Sequence, residues 1–242
     1  MQTSASDIPP RLLTLANLVT MGSLASGFLI ITSSLDASFR FAGPLFLVCV
    51  LCDGLDGYVA RKTSTAGALG LFLDSLVDIV AFGVAPVVLA ACFLRARGAQ
   101  LPLWAGFLYL SCIALRLSRF NIQEDKTYFT GLNSPSAAAL VVLCIWNVES
   151  ASEPWVQQGA EGLILGSVVF AGLLMVAPCE YVSSKKLPGG WAVAAAVLAA
   201  AAVSLMLSRN IPLVLYSLAL LYAASGPIGA ALGRRRAQRT FG

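Results

Sequence analysis

No histidine occurs anywhere in the 242-residue chain, and only 12% of its residues are charged. The first absence removes whole classes of chemistry. A Ser-His-Asp hydrolase would lack its base, and a histidine-bound zinc or copper centre would lack its ligands. The second absence removes the ordinary soluble domain, in which about a quarter of residues carry charge. No basic region with a small-residue cleavage site precedes the first apolar run, so that run is expected to stay in the protein. No stretch resembles an RNA- or DNA-binding module, and no nucleic-acid partner is expected. Six cysteines (Cys49, Cys52, Cys92, Cys112, Cys144 and Cys179) are present, all in apolar stretches. Cys49 and Cys52 form a C-x-x-C, but no second pair accompanies it. It is read as packing rather than a metal or redox site, and no structural disulfide is expected.

Apolar residues are what the chain has instead, at 58% of the total. They come in blocks of roughly 20, the length that crosses ~30 Å of hydrocarbon as a helix. Eight such blocks are read, at about 12–33, 41–60, 67–94, 101–120, 134–149, 160–179, 189–207 and 211–230. The third is long enough to tilt or break, and Asn147 and Glu149 crowd the end of the fifth. Backbone groups in lipid must be satisfied within the segment, so the blocks should be helices. A transmembrane barrel would alternate apolar and polar residues, which these runs do not. The expected fold is all-α: a polytopic membrane bundle of about eight transmembrane helices. It forms one integral membrane domain over 1–242, with its chemistry on helices at about 41–94. The spans at about 160–230 receive no role.

The bases set an orientation. With the N-terminus inside, the inner segments hold Arg11, Arg61, Lys62, Arg116, Arg119, Lys126, Lys185, Lys186, Arg234, Arg235, Arg236 and Arg239. The outer segments hold only Arg40, Arg95, Arg97 and Arg209. This asymmetry puts both termini in the cytoplasm, and the expected location is the cytoplasmic (inner) membrane. The net charge of +4 then describes topology and contact with anionic lipid. Trp104, Trp146, Trp155 and Trp191 fall near span ends and are read as interfacial anchors. The Ala-rich run at 192–202 favours close helix packing. The basic tail from Arg234 is expected to be disordered at its end.

The informative window runs from Asp53 to Asp78. Four of the twelve acidic residues (Asp53, Asp56, Asp74 and Asp78) lie in two consecutive membrane helices. A carboxylate at bilayer depth costs ~2.5–3.5 kcal/mol even on the insertion scale, so something must compensate these four. Asp53 and Asp56 are spaced i, i+3, and Asp74 and Asp78 i, i+4, so each pair shares a helix face. The two helices are joined by a short turn near Arg61 to Gly67 and run antiparallel. At ~1.5 Å per residue, Asp56 and Asp53 lie about 8 and 12 Å from that turn, and Asp74 and Asp78 roughly 10 to 17 Å. All four therefore meet at one level near the cytoplasmic face.

Converging carboxylates without histidine or a reactive cysteine make a hard, oxygen-only site suited to Mg²⁺, Mn²⁺ or Ca²⁺. Two such ions would cancel the four charges, and metal pairs recur in phosphoryl displacement. Gly57, Ala60 and Gly70 are small, letting helices approach or leaving room for a nucleotide. With no histidine the general base must be a carboxylate or something less usual. Two other readings stay open at this point. The acids can form a cation pathway, or pair structurally with Arg61, Lys62, Arg116 and Arg119.

The same window resembles the CDP-alcohol phosphotransferase family, whose signature is D-x-x-D-G-x-x-A-R-x8-G-x3-D-x3-D. Asp53, Asp56, Gly57, Ala60, Arg61, Gly70, Asp74 and Asp78 meet every fixed position. The resemblance implies a membrane homodimer with two divalent metals, Mg²⁺ or Mn²⁺, on which a CDP diphosphate lies. It makes Asp53, Asp56 and Asp74 metal ligands. Asp78 becomes both the base and a ligand or neighbour of the metal. Gly57, Ala60 and Arg61 become nucleotide contacts, with Gly70, Asn17 and Thr20 added to the CDP-lipid site.

Outside the window the likeness is to the bacterial and archaeal phosphatidylserine synthase branch of that family. It rests on Asn17-x-x-Thr20 with Ser26-Gly27-Phe28, on Ala81-Phe82-Gly83-Val84-Ala85-Pro86, and on Ala114-Leu-Arg116-Leu-Ser-Arg119-Phe120-Asn121. Phe129-x-Gly131-Leu-x-Ser-Pro135 comes next, and the likeness covers about 12–140. Ala16, Ser23, Ala81 and Asn133 depart from the branch pattern, and none is a catalytic acid. The implied substrates are CDP-diacylglycerol, or an archaeal ether-lipid counterpart, and L-serine. Arg116, Arg119 and Asn121 are the acceptor candidates. A guanidinium binds a carboxylate in a bidentate manner, which suits a free amino acid. Glycerol 3-phosphate would want arginines too, and inositol phosphate or ethanolamine are other acceptors of this chemistry.

Overall fold

The computed structural model describes residues 14–63, 67–122, 129–151, 154–181 and 211–240. It is a helical bundle: α1 (Leu15–Leu35), α2 (Ala42–Lys62), α3 (Ala68–Asp78), α4 (Ala85–Ala96), α5 (Leu103–Ile122), α6 (Ser134–Ser150), α7 (Pro154–Val176) and α8 (Ile211–Thr240). A single 3₁₀ turn (Phe39–Phe41) leads into α2. Among the described residues, five helical segments are long and apolar enough to cross a membrane. They match the first four predicted blocks and the sixth. The fifth and eighth blocks correspond to the shorter apolar helices Ser134–Ser150 and Ile211–Pro227. The seventh block, with Trp191 and the Ala-rich run, lies outside the described residues.

Why these segments are helices is plain from their ends. Thr14 caps α1, its hydroxyl accepting the Asn17 N–H at 3.1 Å. Arg61 and Lys62 fill the last turn of α2, where positive charge suits the helix dipole. Asn133 caps α6 by accepting from the Ser136 N–H, and Pro135 sits in the first turn, where a missing N–H costs nothing. Large apolar side chains such as Leu103, Phe107, Phe72 and Leu76 stand exposed, as a lipid-facing surface requires.

Several features go beyond the sequence reading. The long third span neither breaks nor stays α-helical: Ile79–Val84 forms a π-helical segment between α3 and α4. Trp146, read as an interfacial anchor, also packs against α2. A Cβ placed on Gly43 of α2 would lie 2.0 Å from its ring, so the indole fills the gap that glycine leaves. The basic tail is helical as far as Thr240, because Ala, Arg and Gln all favour helix. The bundle is all-α as expected, and among the described residues a two-residue antiparallel pairing, Phe129–Thr130 (β1) with Glu180–Tyr181 (β2), joins two of its connections.

Helix α1 organises the site. It packs along α2 and also against α3, the π segment and α4. Gly27 makes this possible, since a Cβ there would meet the Ala81 Cα at 2.8 Å. Gly27→Ala must push α1 away from the π segment. We expect it to lower stability by about 1–3 kcal/mol, as overpacking does, read as a lower melting midpoint of the purified protein. An unchanged midpoint would contradict the close approach.

Candidate functional site

Helices α2 and α3 bring their acids together as the spacing requires. One carboxylate oxygen each from Asp53, Asp74 and Asp78 lies within 4.8 Å of the others. Asp78 is buried and Asp53 and Asp74 are half-buried. Asp56 stands outside this triplet. Its Oδ2 accepts from the Thr20 hydroxyl of α1 at 2.7 Å, and only 7% of the residue is exposed. Arg116 of α5 lies close enough to Asp78 and Asp53 to interact with both carboxylates electrostatically.

Beside the acids opens a cavity of about 300 Å³ between α1, α2 and α3. Asn17 and Thr20 line it from α1, Asp56, Gly57, Ala60 and Arg61 from α2, and Gly70 and Asp74 from α3. All the residues named from sequence for the CDP-lipid are therefore on one wall or another. Ala16, Gly67 and Leu71 also line it. Sequence reasoning missed these three, although Ala16 adjoins Asn17 and Gly67 opens α3. The small residues keep the space clear: a Cβ on Gly57 would sit 3.5 Å from an Arg61 guanidinium nitrogen, and one on Gly70 3.7 Å from Asn17 Oδ1.

The acceptor candidates are not in this cavity. Asn121, near the end of α5, exchanges hydrogen bonds with Ser75, which sits between Asp74 and Asp78. Its Nδ2 donates to Ser75 Oγ at 3.0 Å, and Ser75 Oγ reaches Asn121 Oδ1 at 3.2 Å. Arg116 donates to the buried hydroxyl of Ser134, the first residue of α6. Arg119 lies against Gly131, where a Cβ would come within 3.3 Å of its guanidinium. Gly131 has φ +89°, a conformation that favours glycine, and its N–H donates to the Cys179 carbonyl at 2.8 Å. Ser75 and Ser134 were missed from sequence. Ser75 had a signal, being flanked by two acids of the motif, whereas Ser134 had only its place before Pro135.

The donor set fits a hard divalent cation. It is built from carboxylate oxygens, without imidazole or thiolate, and the three oxygens are close enough to share an ion. All six cysteines are free. Carboxylates gathered beside a cavity walled by small residues can hold metal-bound phosphates there.

The family model for CDP-alcohol phosphatidyltransferases matches residues 13–173, from the start of α1 into the last turn of α7. The chain belongs to the CDP-alcohol phosphatidyltransferase family. It is accordingly an enzyme, and its acids and cavity fall within the matched region. Curated relatives of this phosphatidyltransferase include the CDP-diacylglycerol–serine O-phosphatidyltransferase of Helicobacter pylori, 36% identical over 173 residues, covering 70% of this chain and 72% of that one. The protein of the same name from Methanocaldococcus jannaschii is 34% identical over 174 residues, or 71% and 75% of the two chains. The archaetidylserine synthase of Methanothermobacter thermautotrophicus is 41% identical over 133 residues, or 52% and 55%.

The Thr20–Asp56 bond is a polar tie between α1 and the acids of this phosphatidyltransferase. Thr20→Val keeps the shape and removes the donor, leaving a buried carboxylate short of a partner at a cost of about 1–3 kcal/mol. The melting midpoint should fall in Thr20→Val and stay at the wild-type value in Thr20→Ser. Equal midpoints for both variants would contradict a stabilising role for this bond.

Proposed function

We propose that this enzyme transfers a phosphatidyl group from CDP-diacylglycerol to the hydroxyl of L-serine, releasing CMP. The observation that carries the reading is the meeting of Asp53, Asp74 and Asp78 beside a cavity walled by the rest of the same motif. The choice of serine draws on the serine-transferring relatives and on the arginine pair of α5.

The serine hydroxyl attacks the β-phosphorus of the diphosphate. A serine-oxygen-to-phosphorus bond forms, the bond from that phosphorus to the bridging oxygen breaks, and CMP leaves with the electron pair. Asp78 takes the hydroxyl proton. It is buried away from bulk water, with Arg116 of α5 within electrostatic range of it. Asn17, Thr20, Gly57, Ala60, Arg61 and Gly70 hold the CDP-lipid, the glycines and alanine letting it approach the backbone. Arg116, Arg119 and Asn121 hold the acceptor, the guanidiniums pairing with the serine carboxylate. Two divalent ions, Mg²⁺ or Mn²⁺, would be held by Asp53, Asp56, Asp74 and Asp78 and would neutralise charge on the diphosphate.

The same reading sets the surroundings. The chain is one integral membrane domain in the cytoplasmic membrane, with both termini and the site on the cytoplasmic side. It works as a homodimer.

The test is CMP release by purified protein given CDP-diacylglycerol, Mn²⁺ or Mg²⁺ and L-serine. Release should require serine and metal, and Asp78→Asn should abolish it while CDP-lipid binding survives. Release only with glycerol 3-phosphate, inositol phosphate or ethanolamine would keep the reaction and overturn serine. Full activity in Asp78→Asn would remove the base assignment.

A further inference from the structure

The segment Ala81–Pro86 stands out in the sequence, yet neither the cavity nor the acid cluster includes it. Its backbone is unusual. Ile79–Val84 is a π-helix, with the Ala85 N–H bonded to the Val80 carbonyl five residues back. It begins at the residue after Asp78. A π turn holds an extra residue, so it rotates the helix before it relative to the helix after it. The direction in which α3 presents Asp74 and Asp78 therefore depends on this segment, while α4 beyond it stays packed through Leu89, Phe93 and Leu94.

Two features keep the segment open. Pro86 has no N–H, so the Phe82 carbonyl four residues before it cannot receive its usual α-helical bond. That carbonyl accepts instead from the Tyr109 hydroxyl of α5 at 2.9 Å. Tyr109 is wholly buried, and both its ring and its bond are enclosed by packed helices. Its backbone is pinned by α7, where a Cβ on Gly172 would lie 3.3 Å from the Tyr109 Cα. A buried hydroxyl spent on a single helical carbonyl is costly unless both groups are satisfied, and here each satisfies the other.

We propose that Tyr109 is a positioning residue for the transfer reaction: by bonding the Phe82 carbonyl it holds the π segment, and through it the direction of Asp78 toward Asp53. The inference rests on the role given to Asp78 above. Tyr109 touches neither the cavity nor the acids, so its effect reaches the chemistry only through helix register.

The experiment compares Tyr109→Phe with Tyr109→Phe/Pro86→Ala, measuring CMP release, CDP-lipid KM and melting midpoint. Misplacement of a base by a fraction of an ångström to an ångström lowers turnover roughly tenfold to a hundredfold. Tyr109→Phe should show that loss in kcat with the CDP-lipid KM unchanged, because the cavity walls are untouched, and with a lowered midpoint. Pro86→Ala then supplies the N–H that lets Phe82 close an α-turn. In the double variant the midpoint should recover while turnover stays low, since the closed turn does not return Asp78 to its direction. Recovery of midpoint and turnover together would reduce the hydroxyl to a structural bond and overturn the positioning role. Wild-type turnover in Tyr109→Phe would overturn it as well. A wild-type protein inactive with every alcohol would overturn the reaction, and the inference with it. Activity in the wild type separates the two failures.

Discussion

Carboxylates gathered inside a membrane are the constraint on which the rest of this structure depends. Each aspartate at depth opposes insertion by ~2.5–3.5 kcal/mol, and three of the four here have oxygens within 4.8 Å of one another. Repulsion and desolvation act in the same direction, so the arrangement persists only with compensation. Part of it comes from the chain: Thr20 donates to Asp56, and Arg116 faces Asp53 and Asp78. On the proposed reading divalent cations supply the rest, which links the stability of the bundle to the occupancy of its site.

The helices around the acids are arranged by contacts that concern backbone more than side-chain chemistry. Gly27 lets α1 lie against the π segment, and Gly43 admits the Trp146 ring between α2 and α6. Gly131 turns the α5–α6 connection so that its N–H and that of Leu132 reach carbonyls near the end of α7. The same connection delivers Ser134 to Arg116. Arg116, and through its charge Asp53 and Asp78, is thus tied to the second half of the bundle, although every acid of the motif lies in the first.

Legibility in the sequence tracked the range of the interaction. Membrane helices and the Asp53–Asp78 constellation were readable because both are local patterns: run length for one, i+3 and i+4 spacing for the other. The cavity wall was readable for a related reason, since Gly57, Ala60, Arg61 and Gly70 share the helix faces that carry the acids. Pro86 signals a break in α-helical bonding, but no pattern names Tyr109 as the donor that answers it, because that pairing joins the π segment to α5 across 27 positions. The packing partner of Trp146 was hidden for the same reason. Its place near a span end suggested an interface, whereas its partner Gly43 is about a hundred residues away in sequence. The hydrogen bond of Asp56 was also hidden, since its donor Thr20 lies on a different helix.

The central claim is that these acids form a divalent-cation site, and Mn²⁺ binding to the purified protein by paramagnetic resonance tests it most directly. The account predicts saturable binding of a pair of ions, weakened in Asp53→Asn and in Asp74→Asn and unchanged in Asp36→Asn, whose side chain is exposed at the far end of α1. Absence of binding in folded wild-type protein, or binding that all three variants share equally, would contradict it.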